Sequence, residues 1–142
     1  MILPDVNVLV YAFRRDYPNS AEYEAWLTAL MGGAEAYAVS DMVLCAVLRL
    51  VTNRRIFDDP DPLDKALAFT EQVRGRPNCV RVSPGSRHWD IFVDLCRKTE
   101  AKGNLVPDAY LAATVIEHGC ELATTDRDFA RFPGLRWRHP LG

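Results

Sequence analysis

The chain lacks any C-x-x-C pair among its four cysteines, and no histidine stands near them at zinc-ligand spacing. Cys45, Cys79, Cys96 and Cys120 are therefore expected to be buried thiols in a reducing cytoplasm rather than a disulfide framework. No apolar run approaches the roughly 20 residues of a membrane span. No positive region precedes the apolar residues that follow Met1, so a secretory signal is not expected there. An excess of charge of one sign is missing too. The formal net charge is −2, whereas a nucleic-acid binder is often strongly basic. A sum near zero still allows an acidic site to mask a basic rim. Histidine is scarce: His88, His118 and His139 match no nucleophile–base pattern and are expected at the surface or as caps. Repeats, low-complexity tracts and long linkers are absent as well.

What is present is a globular balance. The chain has 142 residues, 49% apolar and 25% charged, enough for one domain over 1–142 with a hydrophobic core. Short apolar segments alternate with helical patterns. Met1 to Pro4, Ala36 to Val39, Cys79 to Val82, Glu121 to Thr124 and Leu135 to Arg138 read as strands. Pro4 cannot donate to a central ladder and is expected at the strand's end. A helix is expected over Val6 to Phe13. A second follows Asn19, which has capping-box spacing to Glu22, and Gly32-Gly33 stops it. Ser40 is expected to cap a third helix with the stripe Leu44, Val47, Leu48 and Val51. Asp61-Pro62 is expected to open a fourth, carrying Leu63, Ala66, Leu67 and Val73. A fifth runs from about Ser86 to Ala101, with Trp89, Phe92, Val93 and Cys96 on one face. Pro107-Asp108 opens the last, closed by Gly119. Alternation of this kind predicts an α/β fold with a central parallel sheet flanked by helices.

Three apolar segments end on aspartate: Ile-Leu-Pro-Asp5, Leu-Val-Pro-Asp108 and Leu-Ala-Thr-Thr-Asp126. A carboxylate at the end of a buried segment is costly unless something positive or hydrogen-bonding meets it. In parallel α/β sheets the ligand site lies at the carboxyl ends of the strands. Asp5 and Asp126 fall at such ends, and Asp108 falls in a helix turn that opens on the same side. Three converging carboxylates need a cation between them. Oxygen-only ligands suit Mg²⁺ or Mn²⁺ rather than zinc. Each aspartate taken singly also fits an ordinary helix cap; their joint placement is what points to a metal site. Arg14, Arg15, Arg49, Arg54, Arg55 and Arg127 are candidate nucleic-acid contacts, against the alternative that they are solvated or paired helix ends.

Asp5-Val-Asn7 after the first strand, Pro-Asp108-Ala-Tyr-Leu-Ala-Ala at a helix start, and Ala-Thr-Thr-Asp126-Arg-Asp128-Phe together resemble PIN-domain ribonucleases, and most closely VapC toxins. The likeness runs from Met1 to Leu141. It implies a three-layer fold and Mg²⁺-dependent hydrolysis of RNA phosphodiester bonds by metal-activated water. It places Asp5 and Asp108 as principal metal ligands and Asp126 as the third acid. Asn7, Thr125 and Asp128 take supporting positions. It further implies a VapB-like antitoxin partner, a homodimer and a cytoplasmic setting. One departure stands out. Ala46 occupies the place of the family's helix glutamate, three residues before Arg49, and Asp41 lies more than a turn earlier.

Two other readings compete. One is a catalytically silent PIN-like domain that binds RNA or a protein partner. The other is an aspartate-based phosphotransfer enzyme, such as a haloacid dehalogenase-like phosphatase; that class wants Asp-x-Asp at the first strand, where this chain has Asp5-Val-Asn7.

Overall fold

The computed structural model describes residues 1–142. Strand β1 (Ile2–Pro4) runs into helix α1 (Val6–Phe13) with Asp5 alone between them, and α2 (Ser20–Gly32) follows. Next come β2 (Tyr37–Ser40), α3 (Asp41–Val51), α4 (Leu63–Arg74), β3 (Cys79–Val82) and the hairpin of α5 (His88–Thr99) with α6 (Leu105–Glu117). Strand β4 (Glu121–Ala123), a 3-10 helix (Arg127–Arg131) and β5 (Trp137–Arg138) complete the chain. All ladders are parallel, as the alternation of strands and helices predicts. Strand β1 pairs with β4 from Ile2↔Glu121 to Pro4↔Ala123, β4 pairs with β5, and β2 pairs with β3 from Tyr37↔Cys79 to Ser40↔Val82.

Pro4 explains a seam in this sheet. The Asp5 N–H donates to the Ala123 carbonyl at 2.9 Å. Along a strand, successive N–H groups alternate between the two neighbours, so position 4 faces away from β4, toward β2. Proline has no N–H to offer there. Strands β1 and β2 pack side by side without a ladder, and the hydrogen-bonded units are β1-β4-β5 and β2-β3.

The core is one cluster of 28 buried residues. Leu3, Val39, Val47, Val51 and Leu122 are among its fully buried side chains. Helix α6 is buried around most of its circumference at Ala109, Leu111, Ala112, Ala113, Thr114 and Val115. Its small residues let the backbone lie close against the sheet, which holds its first turn, and so Asp108, in one place.

Several local expectations are corrected. Asn19 precedes α2 but sits in the left-handed region at φ 63° and its side chain caps nothing. Ser40 precedes α3 without a side-chain cap bond. Asp61 does not cap α4; its carboxylate is taken by Arg14 at 3.0 Å and Lys65 at 3.2 Å. Leu63 and Leu67 are exposed, so the inward face of α4 is Ala66, Thr70 and Val73. Of the cysteines only Cys120 is buried; Cys79 and Cys96 are half-buried and Cys45 is exposed on α3. His88 is buried rather than superficial, with Nε2 at 2.9 Å from the Tyr110 carbonyl, while Trp89 is 64% exposed. Helix α5 is thus turned by about one residue, roughly 100°, from the face its apolar residues predict. The buried imidazole finds an acceptor on α6.

Candidate active site

Because β1 and β4 end in register at Pro4↔Ala123, the next residues, Asp5 and Thr124, emerge side by side at the carboxyl edge. Asp5 is buried and caps α1, its Oδ1 accepting the Val6 N–H at 2.8 Å. Its Oδ2 accepts the Thr124 hydroxyl at 2.7 Å. The same Thr124 oxygen accepts the Asp126 N–H at 3.0 Å. Asp126 in turn caps the 3-10 helix, its Oδ1 accepting the Asp128 N–H at 2.9 Å. One run of hydrogen bonds therefore fixes Asp5, Thr124, Asp126 and Asp128 relative to one another. Asp108 joins them from the first turn of α6, which opens on this edge because the helix runs back toward the start of β4.

The electrostatics show that these acids face each other. Burial pushes the Asp5 carboxyl up; the Thr124 and Val6 hydrogen bonds pull it down, and Asp126 pushes it up again. Burial pushes Asp108 up to about 6, and the charges of Asp126, Asp5 and Asp128 add to it. None of the four carboxylates belongs to an ion pair, unlike Asp16, Asp41, Asp61 and Glu121, each of which has an arginine. Unpaired like charges at one sheet edge leave room for a positive partner. No three acidic, histidine or cysteine side chains close into a ready-made cage. The donor set consists of carboxylate oxygens only. It fits a hard divalent cation that keeps most of its waters and takes one or two protein carboxylates.

The hydroxyl that links Asp5 to Asp126 is that of Thr124, a neighbour of the Thr125 named from the sequence. Thr124 is fully buried between the two aspartates, whereas Thr125 is half-exposed. The signal was present: side chains two apart share a face of an extended segment, so Thr124 belongs with Asp126. Thr124→Val keeps the shape, removes the donor to Asp5 and strands the Asp126 N–H. It is expected to cost about 1–2 kcal/mol of stability, read as a lower denaturant midpoint, with Thr124→Ser near the parent. Equal midpoints for Val and parent are the contrary result.

The arginines separate into groups. Arg127 directly follows Asp126 and is exposed. Arg14 and Arg15 lie past the far end of α1, about 12 Å of helix from Asp5. Arg14 is buried and held by Asp16, Asp61 and the Asp59 carbonyl; Arg15 pairs with Glu24. Arg49 lies in the last turn of α3, and Arg54 and Arg55 in the turn beyond, all exposed. Asn7 is half-buried in the first turn of α1. Asp41, the acid at the end of β2, is locked to Arg74 at 2.8 Å, and that guanidinium holds it below the usual carboxylate range.

A parallel α/β sheet with a carboxylate edge defines the class, and comparison with known proteins completes it. Residues 2–135 match the family model of the PIN domain. Ribonuclease VapC25 of Mycobacterium tuberculosis is 43% identical over 140 residues, covering 99% of both chains. Ribonuclease VapC31 of the same species is 41% identical over 140 residues, again covering 99% of both. Among solved structures, VapBC2 from Rickettsia felis bound to a promoter DNA fragment aligns with a TM-score of 0.69 at 22% identity. That alignment covers 97% of this chain and 98% of the other. The chain belongs to the PIN-domain family, and its relatives there are VapC ribonucleases. No helix is long and apolar enough to cross a membrane.

Proposed function

We propose that this chain is a metal-dependent endoribonuclease, the toxin of a type II toxin–antitoxin pair. The observation that carries the reading is the set of mutually repelling, unpaired carboxylates at the sheet edge, with Asp108 raised to about 6. Full-length likeness to proteins named as VapC ribonucleases supports the substrate class. Family membership removes the motive for the phosphotransfer alternative.

Asp5, Asp108 and Asp126 would hold the cation, Mg²⁺ by preference with Mn²⁺ as substitute, and Asp128 completes the negative field. When bound, the cation supplies neutralisation of the phosphodiester and activation of water for attack on phosphorus. Asp5 has both oxygens fixed by Val6 and Thr124, so its direction is set before substrate arrives. Asp126 has Oδ1 engaged by the Asp128 N–H, and its Oδ2 takes no hydrogen bond. Thr124 keeps the two in register, and Asn7 lies on the α1 turn beside them. Arg127, and farther off Arg49, Arg54 and Arg55, would meet RNA phosphates; Arg14 is buried with four of its five N–H donors taken, which removes it from that role. A VapB-like antitoxin and a second copy of the chain are the expected protein partners. An antitoxin arginine entering the acid edge would satisfy the same unpaired charge.

Incubation of the protein with RNA and Mg²⁺ is expected to give cleavage that EDTA abolishes; no EDTA-sensitive cleavage would overturn the proposal. The pH dependence has a definite sign. Asp108 holds a cation only as the carboxylate, and its raised value delays ionisation to about 6. Cleavage and Mn²⁺ affinity are both expected to fall up to tenfold per pH unit below 6 and to level above 7. A flat profile from pH 5 to 7 is the contrary result. One observation favours a second reading, a domain that binds without turnover. Ala46 lacks a carboxylate and Asp41 is committed to Arg74, so α3 gives the edge no acid. RNA binding with no metal-dependent product would select it.

A further inference from the structure

The acid edge has a neighbour that the sequence reading did not include. Helices α5 and α6 are joined by a tight loop, with Glu100 at φ 51° and Gly103 at φ 59°. Between these two left-handed residues sits exposed Lys102, whose carbonyl accepts the Leu105 N–H at 3.3 Å as α6 begins. Lys102 is therefore placed one turn ahead of the α6 turn that carries Asp108. Glu100 is the left-handed C-cap of α5, with its N–H returned to the Arg97 carbonyl and that of Ala101 to the Cys96 carbonyl, so the entry to this loop is set by the helix end.

The loop is tied to the other side of the site. Arg131 of the 3-10 helix donates through Nη2 to the Thr99 carbonyl at 3.3 Å, where α5 gives way to the loop. The element that begins with Arg127 thus lies against the segment that presents Lys102. Several cations of the chain are engaged, Arg15 by Glu24, Arg74 by Asp41, Arg138 by Glu121 and Lys98 by Asp94; others are free, and Lys102 and Arg127 differ from these in standing next to the segments that carry Asp108 and Asp126. Lys102 and Arg127 make neither ion pair nor side-chain hydrogen bond, although Arg127 stands between two aspartates in sequence. Neither neutralises Asp108, whose charge environment consists of other carboxylates. Two exposed, unpaired cations, one in the loop leading into the Asp108 helix and one next to Asp126, suit a phosphodiester strand passing the carboxylate edge.

We propose that Lys102 and Arg127 form a two-point clamp for RNA phosphates on either side of the acid edge, setting the path of the strand through the site. This rests on the ribonuclease reading above. The clamp reads the backbone and not the bases, so it contributes affinity and orientation without sequence preference.

The test uses the full chain and a fluorescein-labelled 20-nucleotide single-stranded RNA in EDTA, with anisotropy measured across a salt series. Each phosphate contact on a single strand contributes about 0.7 to the slope of log affinity against log salt. Lys102→Ala with Arg127→Ala is expected to flatten that slope by about 1.4 and weaken binding about tenfold near 100 mM salt. Lys102→Arg should stay near the parent. Arg81→Ala, exposed on β3, should change nothing. If the parent binds and cleaves RNA but the double variant keeps its affinity and slope, the clamp is wrong and the ribonuclease reading stands. If the parent neither binds nor cleaves, both are wrong.

Discussion

Replacing Asp108 by asparagine is expected to lower RNA cleavage at least about a thousandfold while leaving the fold as stable as the parent or more so. A lost cation ligand removes several kcal/mol of charge stabilisation, and about 4 kcal/mol corresponds to a factor of a thousand in rate. The stability side follows from linkage. The folded chain holds the Asp108 proton up to about 6, against an ordinary value of 3.8. Folded-state stability from this group therefore falls as pH rises from about 4 to 6, and the penalty is fully present at neutral pH. Two units correspond to about 3 kcal/mol at most; Asp108 is half-exposed, and solvent screening reduces this to about 1 kcal/mol. Asparagine carries no charge and escapes the penalty. Asp108→Asn should thus melt at or above the parent at pH 7.5 without its cation, with the gain gone at pH 4. Asp5→Asn should be equally inactive but less stable, because Oδ1 and Oδ2 both accept hydrogen bonds that hold the edge together. Cleavage at the parental rate by either variant would refute the assignment.

Arg14→Ala is expected to be the most damaging single change to folding, at about 3 kcal/mol or roughly 10 °C in Tm. Its guanidinium is nine-tenths buried and four of its five N–H donors are taken. Nε and Nη2 reach Asp16 at 3.0 and 2.9 Å, and Nη1 reaches the Asp59 carbonyl at 2.8 Å and Asp61 at 3.0 Å. The group also stacks on Phe57, 4.0 Å from the ring centroid. Alanine would leave Asp61, only 10% exposed, with Lys65 as its one remaining cation. Lysine should rescue little, because an ammonium cannot make the planar fork. Calorimetry gives the stability, and RNA affinity below the melting range separates the roles. Parental stability with lost RNA affinity would return Arg14 to the substrate-binding group.

The fold and the acid positions were legible because they follow from chain-local rules. Strand–helix alternation fixes a parallel sheet, and a polar group closing an apolar run fixes its carboxyl edge. That logic places Asp5, Asp108 and Asp126 on one side before any contact is known. The rest depends on partners distant in sequence. Arg14 looks like a free basic residue until Asp59 and Asp61, more than forty positions away, are seen to enclose it. Asp61 reads as a cap for the same reason. His88 reads as superficial because its acceptor, the Tyr110 carbonyl, lies on another helix. Lys102 offers no motif at all; only the loop's two left-handed residues and the Arg131 tether give it a place.

Thr124 and Asp5 are separated by 119 positions, yet one hydrogen bond joins them. Strand β1 has its only ladder partner in β4, at residues 121–123. The nascent chain can therefore build α1 to α5 while its opening strand waits unpaired. Closure comes only when β4 has left the exit tunnel. Such late pairing slows folding, and it also means that a prematurely terminated product carries Asp5 and Asp108 but no assembled edge. In the proposed nuclease, the competent edge would then assemble only after β4 has been made, late in the translation of the domain.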